Sequence, residues 1–316
     1  MHLGRKVGVV VPAYNEEKLI ERTIRTMPSF VDRIIVVDDC SRDRTVEIVQ
    51  NLAQEFGARL VLVRHERNQG VGRTIVTGYQ RAIEEECEVT AVMAGDAQMD
   101  PRDLIRIIEP VAKREADYVK GNRLFRGESW QMIPKHRYLG NSALSFMTKV
   151  ASGYWHIADS QSGYTAISLI ALKRLELDRV YPRYGMPNDI LVRLNIHNFK
   201  VRDVSVRPVY NIGEKSGIRL YKVIPTISWL LFKGFWRRMF RKYVIQDFHP
   251  LIFFYLLAFG ALALSAVFFF RTLYYWIDLG SVPTTSFLVF WFLLISGFQS
   301  LFFAMWFDME NNRHLR

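Results

Sequence analysis

Only two cysteines, Cys40 and Cys87, occur in 316 residues. Two thiols make neither a disulfide framework nor a cysteine metal cluster, and free thiols of a reducing compartment are the default reading. The chain has no internal repeat and no low-complexity linker. It has no long apolar run near its start either: residues 7–11 are apolar but too short for a secretory leader. Acids are scarce between Lys200 and Lys242, where Asp203 and Glu214 face eleven Lys and Arg, so this segment carries +9 of the chain's net +11. Charge is missing altogether from residues 250–270 and 286–307, runs of 21 and 22 residues. A helix needs ~20 such residues to cross a bilayer.

What is present completes the outline. Half of the residues are hydrophobic and 14% are aromatic, which excludes disorder and a small secreted domain. A basic block directly before two apolar runs suits an anionic lipid surface better than nucleic acid. Lys233, Arg237, Arg238, Arg241 and Lys242 flank the first run, and Arg313 and Arg316 follow the second, while the intervening loop holds one Arg and one Asp. Positive charge stays on the cytoplasmic side. The expectation is an integral membrane protein with a two-span hairpin and both termini cytoplasmic, a layout that leaves room for a homo-oligomer. Within residues 218–248, Trp229, Phe232, Phe235, Trp236, Phe240 and Tyr243 alternate with the cations, which predicts amphipathic helices at the interface. The expected division is residues 1–217, 218–248 and 249–316.

The first part alternates strand and helix patterns. Residues 7–11, 33–37, 60–63 and 89–93 read as buried strands; Leu19, Ile20, Ile24 and Met27 and then Val49, Leu52, Ala53 and Phe56 read as helix faces between them. The repeating order predicts a mostly parallel sheet covered by helices. Ligands of such sheets bind beyond the carboxyl ends of the strands. Polar residues gather there: Tyr14, Asn15 and Glu16 after the first strand, Asp38 and Asp39 after the second, Asp96 and Gln98 after the fourth. Asp43 reads as a cap of the helix that follows it.

Taken together, several motifs are distinctive: Val-Pro-Ala-Tyr-Asn-Glu (11–16), Asp-Asp-Cys-Ser-Arg-Asp (38–43), Asn-Gln-Gly-Val-Gly (68–72), Gly-Asp-Ala-Gln-Met-Asp-Pro (95–101), Gly-Asn-Arg (121–123) and Asp-Ser-Gln-Ser-Gly-Tyr (159–164). They resemble the signature blocks of family 2 glycosyltransferases, of the dolichyl-phosphate mannose synthase or polyprenyl-phosphate glycosyltransferase type. The resemblance implies a GT-A, Rossmann-like α/β domain followed by interfacial helices and the hairpin. It implies inverting transfer of a sugar from a nucleotide-sugar donor, of the GDP-mannose or UDP-glucose type, to a polyprenyl or dolichyl phosphate. It also implies a Mg2+ or Mn2+ ion at an Asp-x-Asp motif extended by Gln. Here Asp96 and Gln98 match that motif, and Ala94 replaces its first Asp. By the same resemblance Pro12, Ala13, Tyr14 and Glu16 line the base and ribose and Asp39 contacts the base. Gly70 and Gly72 allow close approach to the donor or serve a tight turn.

For the acceptor, the resemblance points to Arg123, Arg137 and Asn141 at the phosphate, with Lys215 standing in for a cation missing at Tyr210. It places Asp159 near the reacting sugar and Asp189 at a comparable acidic position, so Asp96, Asp159 and Asp189 are the candidate catalytic acids; for Asp189 a helix cap is an equal reading. An acceptor phosphate is already anionic near neutral pH and needs no strong base, so placement and charge stabilisation are the protein's task. Two other readings stand beside this one. Transfer to a sugar hydroxyl needs a general base and commonly a Gln-x-x-Arg-Trp block, which the sequence lacks. A nucleotide-binding membrane scaffold without turnover is the other, suggested by Ala94.

Overall fold

Every residue of β1 (Val7–Ala13) is buried, as an unbroken apolar run requires of a strand covered on both sides. The computed structural model describes the backbone of residues 1–123, 135–207 and 220–316, and the side chains of 1–123, 142–207 and 224–316. The further strands are β2 (Arg33–Asp38), β3 (Leu60–Arg64), β4 (Val89–Val92), β5 (Tyr118–Asn122), β6 (Thr165–Ser168) and β7 (Val201–Ser205). Among the described residues they form one sheet in the order β3-β2-β1-β4-β6-β5-β7. All neighbours are parallel except β6, which runs antiparallel to β4 and β5. The expected mostly parallel sheet is thus present. The reversal of β6 has a consequence for function, because it brings the residues before β6 to the rim where β4 and β5 end.

Side-chain alternation divides the core between two faces. Val7, Val9 and Val11 of β1 pack with Ile34 and Val36 of β2 under α1 (Ile20–Arg25), α2 (Thr45–Phe56) and α4 (Leu104–Ala112). Val10, Ile35 and Val37 pack on the opposite face under α3 (Val71–Glu84), α6 (Leu169–Arg174) and α7 (Met186–Ile196). The intervening α5 (Lys135–Ser152) supplies buried Leu144, Ser145, Thr148 and Ser152.

The chain forms two compact units, Met1–Trp236 together with Leu315–Arg316, and Arg237–His314. The boundary expected near residue 217 lies outside the described residues. Helix α8 (Leu220–Phe240) has its first part in the first unit. There Leu230 lies against Gly185 and Gly234 against Val192 of α7, while Trp229 and Phe232 are exposed and stacked, with Lys233 over the Trp229 ring.

The second unit holds α9 (Leu251–Leu279) and α10 (Thr284–Asn311), helices of 29 and 28 residues with mean hydropathy 2.4 and 2.0. Both are long and apolar enough to cross a membrane. Large side chains such as Phe253, Leu257, Phe292 and Phe302 point outward, which a buried core helix would not allow. Small residues line the buried side: Ala258, Ala261 and Ser265 of α9, Gly297, Ser300 and Ala304 of α10. Such residues let two helices approach closely where lipid gives no hydrophobic drive for association.

Candidate functional site

The ends of β1, β2 and β4 are tied into one rim by backbone bonds. Asp39 N–H donates to Ala13 O at 2.9 Å, and Gly95 N–H to Pro12 O at 3.1 Å. Side chains extend the tie: Asn15 Oδ1 accepts from Arg42 N at 2.8 Å, and Asn15 N donates to Ser41 Oγ at 2.9 Å. Just beyond each of these strands, a non-glycine residue takes left-handed backbone, namely Asn15 (φ +57°), Cys40 (φ +64°) and Ala97 (φ +54°). Such conformations are costly for L-residues and persist where surrounding contacts impose them. The rim is therefore a set of fixed turns. The N-cap of α2 is Arg44, with no side-chain cap bond; the Asp43 carboxylate instead accepts from Thr45 N and Oγ1 at the start of α2 and from Glu17 N, tying the two rim segments.

Tyr14 is exposed, Pro12 and Ala13 are buried and Glu16 is half-buried at this rim. Asp39 is turned inward. It is 3% exposed, and its carboxylate accepts from Gln69 N, Gly70 N and His65 Nδ1, each at 2.8 Å. His65 in turn reaches Thr77 Oγ1 through Nε2 at 2.9 Å. The carboxylate thus braces the turn at residues 68–70. Gly70 of that turn and Gly72 in the first turn of α3 have a structural partner. A Cβ on Gly72 would lie 2.5 Å from Tyr181 O, and one on Gly70 (φ +90°) 2.9 Å from Pro182 O. The close approach that these glycines permit is to the chain before α7.

Asp96 is partly exposed, and its Oδ1 accepts from Gln98 N at 3.1 Å. Burial pushes the Glu16 carboxyl up to about 7, and the neighbouring Asp96 and Asp43 add to the rise. This negative spot is one that a cation would relieve. Among the described residues no group of three or more His, Cys, Asp or Glu is arranged as a metal cage. One carboxylate and one amide oxygen fit a hard divalent ion that keeps waters and takes substrate phosphate oxygens, as Mg2+ does. The loop that holds them is locked: Met99 Sδ accepts from Ala94 N at 3.3 Å, and Tyr164 Oη donates to Asp100 O at 3.0 Å.

Because β6 runs backwards, residues 159–164 reach the same rim. Asp159 is buried, and Arg123 at the end of β5 grips it with Nε at 2.8 Å, Nη2 at 3.2 Å and its backbone N at 3.2 Å. The Arg123 side chain is 33% exposed against 3% for Asp159. Burial alone would raise the Asp159 pKa, but the Arg123 charge, its hydrogen bonds and Lys120 hold it below the ordinary range. The next residues are anchored too: Ser160 Oγ lies 3.2 Å from Ser145 Oγ, and Gln161 Nε2 donates to Asn188 Oδ1 at 3.1 Å.

Asp189, a candidate catalytic acid, lies in the first turn of α7 and is buried. Its Oδ2 accepts from Arg193 Nε at 2.9 Å and from Tyr181 N at 3.1 Å, bonds that hold the chain against Gly70 and Gly72. The side chains of Arg137 and Asn141, and the whole of Lys215, lie outside the described residues.

The site thus gathers Tyr14, Glu16, Asp96, Gln98, Arg123 and Asp159 along one rim. Sequence reasoning passed over Lys120 and Asp203, which lie beneath residues 158–163. A lone charge within the strand Tyr-Val-Lys-Gly-Asn, every residue of which is buried, was the available signal.

Comparison with known proteins agrees with this architecture. Residues 8–175 match the family described as glycosyl transferase family 2. A UDP-N-acetylglucosamine–dolichyl-phosphate N-acetylglucosaminyltransferase of Methanococcus voltae is 30% identical over 65% of this chain and 86% of its own length. An undecaprenyl-phosphate mannosyltransferase of Micrococcus luteus is 28% identical over 60% of this chain and 77% of its own. A dolichol-phosphate mannosyltransferase of Pyrococcus furiosus is 28% identical over 55% and 49%. Among solved structures, a glucosyl-3-phosphoglycerate synthase of Mycobacterium tuberculosis, crystallised with Mn2+, UDP and phosphoglyceric acid, shares the fold with a TM-score of 0.52. It is 19% identical, covering 74% of this chain and 78% of that one. The chain belongs to glycosyl transferase family 2 and is a glycosyltransferase.

Proposed function

We propose that this enzyme transfers a sugar from a UDP- or GDP-sugar to the phosphate of a membrane polyprenyl phosphate, with inversion, on the cytoplasmic side. The observation that carries this reading is the Arg123–Asp159 pair. It presents a partly exposed guanidinium on the rim that also holds Asp96, which supports a site where an anionic acceptor and a metal-bound donor would meet. The relatives' names, all sugar transferases to dolichyl or undecaprenyl phosphate, support the same acceptor class.

The exposed ring of Tyr14 offers a stacking face for the base. Asp39 shapes the turn at 68–70 and so acts on the donor pocket indirectly. Asp96 and Gln98 would hold Mg2+ or Mn2+, which would supply positive charge to the departing diphosphate. Arg123 binds the acceptor phosphate through its guanidinium, a planar fork suited to phosphate oxygens. Asp159 holds that fork; we assign it to positioning, and Asp189 to the support of the 181–183 chain. A phosphate oxygen then forms the bond to the anomeric carbon while the bond to the nucleoside diphosphate breaks, the electron pair leaving with the diphosphate. No proton has to be removed from the attacking oxygen.

The chain path supports this topology. The chain leaves the first unit after Trp236 and returns at Leu315, which is buried in the first unit's core with Phe199 and Leu194. Two spans between these points leave both ends of the hairpin on the same side. The basic flanks favour the cytoplasm, and the exposed Trp229 and Phe232 with Lys233 suit the headgroup region.

The test uses the full chain in lipid nanodiscs with Mg2+ and a panel of UDP-N-acetylglucosamine, UDP-glucose and GDP-mannose. Transfer is expected to dolichyl phosphate and not to dolichol. Transfer to a sugar hydroxyl instead, or no turnover with any donor, would overturn the reading. Asp96→Ala should lower kcat/KM about a hundredfold or more, and retained transfer under saturating Mg2+ would remove Asp96 from the metal role.

A further inference from the structure

β5 buries a cation where the sheet is covered on both sides. Lys120 is 0% exposed, and its Nζ donates to Ser162 O at 2.7 Å. A carbonyl alone poorly compensates an ammonium taken out of water. The compensation comes from two acids. Asp203 stands directly across from Lys120 in the β5–β7 register, and Asp159 lies in the segment above; both stabilise the charged lysine. Asp203 Oδ2 accepts from Ala158 N at 2.7 Å and from Asn122 Nδ2 at 3.0 Å, and its Oδ1 is buried with no hydrogen-bond partner among the described residues. Lys120 and Asp203 therefore hold residues 158–163 at both ends, through Ala158 N and Ser162 O. Between those ends lies Asp159, with Arg123 on it.

A methionine would fill the lysine's space without the desolvation cost, so this cation is a poor choice if stability is its only purpose. We propose that Lys120 is a positioning residue that fixes residues 158–163 and the Asp159 carboxylate, and through that carboxylate sets the Arg123 guanidinium for the acceptor's phosphate. The inference rests on the acceptor role given to Arg123 above.

Protonation supplies a distinctive readout. Among the described residues, the charged groups around Lys120 are Asp159 from the segment above, Asp203 from β7 and Arg123 at the end of its own strand. Burial pushes Lys120 down to about 8, against the pull of Asp159 and Asp203. Above that pH the cluster loses a cation, and of the described charges two acids are left with Arg123. Activity should fall there, yet unfolding is not the cause: the folded pKa lies below that of an unfolded lysine, ~10.4, so this group's contribution to stability rises with pH between the two values.

The experiment measures the KM for dolichyl phosphate and its pH profile in the full chain in nanodiscs. Wild type should lose kcat/KM through an alkaline limb centred near pH 8, with no drop in melting temperature. Lys120→Met should raise KM about tenfold or more, as loss of an outer-shell support does, and should abolish the limb. Lys120→Arg keeps its charge, so its limb should move beyond pH 10. A limb unchanged in either variant, or absent from wild type, would overturn the proposal even if one variant fails to fold. Arg123→Ala separates this from the parent reading. If it leaves the KM for dolichyl phosphate unchanged, the acceptor assignment fails; if it raises KM while both Lys120 variants behave as wild type, only the role of Lys120 fails.

Discussion

Both units bury charge, but they do so differently. In the second unit, Arg238 and Asp308 are both 0% exposed and pair through two bonds, at 2.6 and 3.0 Å. Tyr243 Oη donates to Asp308 Oδ1 at 2.6 Å, Asn312 Nδ2 donates to Tyr243 Oη at 2.8 Å, and Lys242 Nζ donates to Asn312 Oδ1 at 2.8 Å. Each of these groups is turned inward, and the cluster clamps the end of α8 to the end of α10. In the first unit the pair is lopsided: Asp159 is buried while Arg123 is partly open to solvent. A closed pair spends its charge on the fold, whereas a half-open one holds a charge in place for something else.

That contrast can be tested by breaking each pair. Asp308→Ala should lose about 3–5 kcal/mol of stability, because it leaves Arg238 charged and buried without its partner. Thermal unfolding in detergent measures this, and replacing both residues by leucine should restore most of the loss. Asp159→Asn should behave oppositely, with a modest change in melting temperature but kcat/KM for the lipid phosphate down by roughly thirtyfold, about 2 kcal/mol, as expected when a buried charge pair is weakened. If Asp159→Asn unfolds the protein as Asp308→Ala does, the distinction is lost.

Gly72→Ala sharpens the picture of the rim. The new methyl would press on the Tyr181 carbonyl, which is backbone and cannot swing away, at a cost of about 1–3 kcal/mol. A melting temperature equal to wild type would contradict that packing. The smallest effect concerns Glu16, whose carboxyl is raised to about 7. A raised carboxyl pKa means the folded chain holds the proton more tightly than the unfolded one, so stability from this group is full below about pH 4 and lost as pH rises through 7. Glu16→Gln should therefore melt higher than wild type at pH 8 in EDTA and equal to it at pH 4.

The strands, the rim and the hairpin were legible because each rests on a local pattern. Unbroken apolar runs gave β1 and β2, and charge-free runs of 21 and 22 residues gave α9 and α10. Asp96 and Gln98 could be placed because a strand end positions them. What could not be read depends on pairing between distant segments. Nothing near Asp39 in sequence announces that Gln69, Gly70 and His65 will occupy its carboxylate. The antiparallel β6 brings Asp159 onto Arg123 across 36 residues, and register alone sets Lys120 beside Asp203. Asp308 sits past the charge-free run, and only the folded hairpin pairs it with Arg238.

The central claim is that donor and lipid phosphate meet at one rim, with the phosphate at Arg123. Cross-linking tests it most directly, using a polyprenyl phosphate with a photoreactive group on its first isoprene unit, bound to the full chain in nanodiscs with UDP or GDP and Mg2+. The account predicts that the labelled peptides contain residues 120–123 or 157–164, and that excess dolichyl phosphate abolishes the labelling. Competable labelling confined to residues 271–285, around the link between the two apolar helices, would contradict it.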